Sequence, residues 1–155
     1  MINAYYQNFR EEDWTARKKL GELNAKVFDE LPLAPEGAIQ TEFTNNGGAG
    51  NSYYHGNYLL AQYELDVSPK TVIEYYKAFF EAQGWEHRQY NDETLDTLFF
   101  RETSCVRIEP IYTEYVHGFS IWIWHDYERQ SFSPEFPPFL EISEVGEMYV
   151  DKCPR

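Results

Sequence analysis

Four histidines, two cysteines and an excess of carboxylates are the groups with which this chain could do chemistry. Their spacing argues against most of it. A metal ion needs ligands that converge, yet His117 and His125 stand eight residues apart in one expected strand, about 27 Å at strand rise, and share an ion only if that strand breaks. His125, Asp126 and Glu128 are no better, because neighbouring strand residues point to opposite faces. No metal or cofactor is expected. A cysteine nucleophile would require Cys105 to meet a histidine in space, and nothing local marks it as reactive. Cys105 reads as a small buried strand residue. Cys105 and Cys153 are both expected to be free thiols, since two cysteines are not the dense framework of small secreted scaffolds.

The glycine-rich loop NNGGAGNS, residues 45–52, resembles a phosphate cradle only in composition. No Gly-Lys-Ser/Thr follows, and the next element reads as a strand, so a hairpin loop is the better reading. Beside it, Tyr53, Tyr54, His55 and Tyr58 are candidates for an aromatic recognition patch, set against ordinary sheet and rim aromatics. In SIWIWHDYE, Ile121, Ile123 and His125 share one face, and Trp122, Trp124 and Asp126 the other. If the isoleucines are core, the tryptophans are exposed and mark a contact surface. The preferred reading buries Trp122 and Trp124 under a helix, which turns His125 outward and adds His125, Asp126 and Tyr127 to the candidate partner surface.

These residues depend on elements that the sequence marks unevenly. The clearest stretch is residues 57–85, NYLLAQYELDVSPKTVIEYYKAFFEAQGW. Leu59, Ala61, Tyr63, Leu65 and Val67 alternate with Tyr58, Leu60, Gln62, Glu64 and Asp66, as in a half-buried strand. Ser68 stands at an N-cap and Pro69 at the first helical position, where its missing N–H costs nothing. Val72, Ile73, Tyr76, Phe79 and Phe80 form one apolar stripe. Gly84 suits a left-handed helix stop, and Trp85 beyond it is placed to pack back on Phe80.

Elsewhere, residues 11–31 read as a helix with a narrow stripe at Ala16, Leu20, Leu23, Val27 and Leu31, stopped by Pro32. That stripe fits an intramolecular contact, with a dimer seam as the alternative. Residues 38–44 suit a first strand. Residues 86–90 with 94–101, and 105–112 with 116–127, suit two strand pairs. The last quarter, from residue 128, has four prolines and little periodicity, and is expected to wrap the body or add an edge strand near Leu140. The whole chain, 1–155, reads as a single α+β domain: an antiparallel sheet of about five or six strands, helices packed on one face, and an N-terminal helix.

Residues 32–125 resemble small bacterial α+β domains of unknown function. In these a turn and strand lead to a strand like residues 58–65, then to a helix with a Tyr-Tyr pair and a Gly-Trp stop, here Tyr75, Tyr76, Gly84 and Trp85. The resemblance implies the fold and no functional residues. Many such relatives look like lipoproteins or anchored exported domains.

A formal net charge of −13 disfavours nucleic acid and anionic lipid, both of which call for clustered Lys and Arg. Residues 1–30 carry five basic and six acidic side chains; residues 31–155 carry eight and twenty. The acidity belongs to the body. No apolar run has signal-peptide or membrane-span length. A cytoplasmic location is the default expectation, and an exported or anchored one follows if a leader was removed. The charge and the tyrosines suggest a non-catalytic acidic module that binds a basic protein, in the manner of an inhibitor or immunity protein. The alternatives are a small-ligand or carbohydrate binder using an aromatic cleft, and an enzyme whose His55 or His125 meets a carboxylate only in three dimensions. The expected oligomeric state is monomer or weak dimer.

Overall fold

A computed structural model of the chain describes residues 18–45, 58–126 and 153. Residues 18–30 are helical and are called α1. Six strands follow around a second helix: β1 (Ile39–Asn45), β2 (Leu59–Glu64), α2 (Pro69–Ala82), β3 (Glu86–Asn91), β4 (Asp96–Arg101), β5 (Ser104–Tyr112) and β6 (His117–His125). They form one sheet in the order β1-β2-β6-β5-β4-β3, with every neighbouring pair antiparallel. The fold class is therefore mixed α+β on an antiparallel sheet.

The same order has a consequence for α2. Three strands separate β2 from β3, which run in the same direction, so the chain must cross the sheet to join them. α2 makes that crossing, touching β3, β4, β5 and β6. Its start follows from Ser68, which has extended dihedrals and accepts from the Thr71 N–H, with Pro69 in the first turn. Its end follows from Gly84 at φ +79°. There the Trp85 N–H donates to the Phe80 carbonyl and the Gly84 N–H to the Glu81 carbonyl, the paired bonds of a Schellman stop.

Val72, Tyr76 and Phe80 are the buried residues of α2. They meet Leu59, Ala61, Phe99, Val106, Ile108, Phe119, Ile121 and Ile123 in one core cluster. Val27 of α1 belongs to that cluster, and Phe28 and Leu31 pack against it. Of the stripe expected on α1, Leu20 and Val27 are buried while Leu23 is exposed. Asn24 takes part in the buried side instead. Ala16, Leu140 and the 46–57 loop lie outside the described residues.

The faces of β6 and the state of the cysteines differ from the sequence expectation. Ile121 and Ile123 are core, and Trp122 and Trp124 are half-buried on the opposite face. Alternation separates the two faces but does not say which is covered. The crossing helix brings Tyr76 and Phe80 onto Phe99 and Phe119, so the space under it is already filled by aromatics and suits isoleucine from β6. Cys105 and Cys153 are not free thiols: they form a disulfide with Cα atoms 5.8 Å apart. Residue 153 returns to β5 across 48 positions, a proximity that a count of cysteines does not reveal.

Candidate protein-binding groove

Three segments converge at the end of the sheet where β2 stops and β6 begins. The first is the turn at Gly37, with φ +89°, closed by the Ala38 N–H donating to the Pro35 carbonyl. It delivers Ile39 to the start of β1. The second is Glu64, Leu65 and Asp66, held by the Leu65 N–H donating to the His117 carbonyl. The third is the β5–β6 connection, Thr113 to Val116. Together Gly37, Ile39, Glu64, Leu65, Asp66, Glu114, Tyr115, Val116 and His117 line an open groove.

The connection is internally fastened. The Thr113 N–H donates to the Val116 carbonyl at 2.9 Å, and the Thr113 hydroxyl oxygen accepts from the N–H groups of Tyr115 and Val116. A Thr side chain that takes up turn amides in this way fixes a loop without a core beneath it. Tyr115 is thereby presented at 88% exposure on a fixed turn. Ile39 is 65% exposed, and Val116 is also exposed. Ordered apolar surface of this kind costs little conformational entropy to bury.

Around it stand Glu64, Asp66 and Glu114, with His117 as the only basic group among the lining residues. His117 Nδ1 lies 2.8 Å from an Asp66 carboxylate oxygen, and its ring stacks on Tyr112 with centroids 4.1 Å apart. Asp66 is 92% exposed and keeps most of its carboxylate open to solvent. The groove can therefore take a cationic group beside an apolar one.

Sequence reasoning selected other residues. Tyr53, Tyr54, His55 and Tyr127 lie outside the described residues. Tyr58 is half-buried, with its ring 5.4 Å from that of Trp122. Asp126 is half-buried, and its carboxylate accepts from the Cys153 N–H. His125, expected to face outward, is buried at 4% exposure. It lies on the Ile121 and Ile123 side of β6, where Asn24 of α1 covers it: His125 Nδ1 is 2.6 Å from Asn24 Oδ1, and Nε2 is 2.9 Å from Ser104 Oγ. It therefore offers no recognition surface. The groove was missed because its three parts are far apart in sequence, although TEYV between two strands is itself a hairpin signal.

Burial pushes the His125 imidazole below 6.5, and the nearby Asp126 carboxylate offsets part of that shift. With the folded value lowered, the unfolded chain binds the proton more readily, so stability falls as pH drops from about 6.5 through the folded value. Well above 6.5, where the unfolded imidazole is neutral too, this group contributes no slope. Urea midpoints of wild type and His125→Gln across this range should show the extra acid loss in wild type alone.

Across the other face, Arg107 is held by Asp96 through two donors and by Glu109 at 2.9 Å, with Tyr90 against the guanidinium. Asp96 is buried. This arrangement neutralises the cation and leaves no open anion site. Among the described residues, no group of three or more His, Cys, Asp or Glu is gathered to hold a metal ion. No described helix is long and apolar enough to cross a membrane. The chain matches no family model, no curated protein and no solved structure.

Proposed function

We propose that the protein is a non-catalytic binding module that recognises a basic protein through this groove. The observation that carries the reading is Tyr115, held outward on the Thr113-fastened turn beside Glu64, Asp66 and Glu114. Aromatic anchors ringed by complementary charge are what protein interfaces use for affinity and for steering. Both helices sit on one face of the sheet in this reading, so the groove at the sheet end stays open. An inhibitor or immunity protein that covers a cationic surface is the specific form the charge favours.

The test uses purified protein and the cationic protein it captures from its source cells. Groove substitutions Glu64→Gln, Asp66→Asn and Glu114→Gln are combined, and Asp92→Asn with Glu93→Gln on the β3–β4 turn serves as a control away from the groove. The groove variant should bind at least about tenfold more weakly at low salt, and the difference should shrink at high salt. Tyr115→Ala should cost about 2 kcal/mol, some thirtyfold in Kd. An equal loss in the control, or binding insensitive to Tyr115, would overturn the assignment.

A further inference from the structure

The Cys105–Cys153 bond lies at the end of β6 opposite the groove, and its surroundings speak to where the protein is made. Cys105 is completely buried and Cys153 nearly so, in a cluster with Leu98 against which Phe100 and Trp124 pack. The Asp126 carboxylate stands beside both cysteines: Oδ1 accepts the Cys153 N–H and lies 4.0 Å from Cys105 Sγ.

Thiol–disulfide exchange proceeds through the thiolate, so exchanging cysteines occupy exposed, electropositive surroundings. These two have the reverse. An apolar cluster and an adjacent carboxylate both disfavour the thiolate, and burial denies an attacking thiol its line of approach. A pair built this way is poorly suited to a redox cycle and well suited to permanence.

We infer that Cys105–Cys153 is a permanent structural disulfide acquired in an oxidising compartment, and that the mature protein works outside the reducing cytoplasm. Its formation needs an external disulfide as oxidant. The two cysteine thiols give two electrons and two protons to that disulfide, which leaves as two thiols, while one S–S bond forms within the chain. Cytosolic thiol systems keep cysteines reduced while a chain is still open, before burial can protect a bond, whereas secreted and periplasmic proteins form and retain disulfides. This inference is independent of the groove, and either can fail without the other.

The experiment traps the endogenous protein in its source cells with acid, alkylates it under denaturing conditions without reductant, and weighs it. The expected result is a chain with no adduct, about 2 Da lighter than the reduced form, recovered from the extracytoplasmic fraction. A second arm incubates the folded, oxidised protein with glutathione at cytosolic poise. Reduction at least tenfold slower than that of the same protein in urea is expected. Two alkylated cysteines in the trapped protein, its recovery from the cytoplasmic fraction, or equally rapid reduction in the folded and unfolded states would each overturn the inference.

Discussion

Gly118→Ala is expected to lower the free energy of unfolding by more than about 3 kcal/mol and to abolish groove binding in whatever folded fraction remains. Gly118 is the second residue of β6 and pairs with Glu64 of β2. A Cβ built there would stand 2.0 Å from the Tyr63 carbonyl oxygen and 3.1 Å from the Glu64 Cα. Both obstacles are backbone, so no side-chain rotation relieves the overlap. β2 and β6 would have to separate where they place Glu64, Leu65 and His117 around the groove. The constraint is space alone, since Gly118 is not among the residues with positive φ. Gly84 is the reverse case, with φ +79° and open space around it. Urea unfolding and a binding titration of the same preparation check both parts. Wild-type stability for Gly118→Ala would show that the two strands can shift apart cheaply.

The contrast between these glycines shows what was legible in the sequence. Signals that act within a few residues were readable: Ser68 and Pro69 start α2, Gly84 and Trp85 stop it, and the alternation at Leu59, Ala61 and Tyr63 marks β2. The strand pairs after α2 were readable for the same reason. Gly118 carries no such signal, because its requirement comes from a carbonyl 55 positions earlier in the chain. Long-range pairing also explains the misassigned residues. Trp122 and Trp124 share a strand with Ile121 and Ile123, and only the crossing of α2 from β2 to the far edge decides which pair is covered. His125 is buried by Asn24, a residue whose polar side chain hid it within the stripe of α1. The disulfide and the groove likewise depend on contacts between segments that share no local pattern. Composition did carry one feature that bears on the groove, the acidity of the body, which supplies Glu64, Asp66 and Glu114 to its lining.

Phe80→Ala is expected to cost about 3–5 kcal/mol, the range for deleting a buried phenylalanine ring into a cavity that closes only in part. Phe80 is fully buried near the C-terminal end of α2. Its ring stacks on Phe99 at 4.3 Å between centroids and meets Trp85 edge-on at 5.0 Å, while Arg101 lies over the outer side of Trp85 at 4.6 Å. Truncation removes the surface against which Trp85 folds back, so the apolar contact that accompanies the Schellman stop is lost with the core contact. Partial collapse is hard, because Phe99 sits on β4, paired to β3 on one side and β5 on the other, and cannot move toward the helix without breaking strand pairing. Chemical unfolding followed by tryptophan fluorescence measures the loss, and a native-state change in the emission of Trp85 should accompany it. The groove lies beyond the other end of α2, at Asp66 and before the Ser68 cap, with the helix from Pro69 to Phe80 between them. Phe80→Ala should therefore leave the affinity of the folded protein for a basic protein bound in the proposed groove unchanged at temperatures where it remains native. A variant that loses stability and keeps affinity, set beside Tyr115→Ala that keeps stability and loses affinity, separates the core that builds the sheet from the turn proposed as the recognition element.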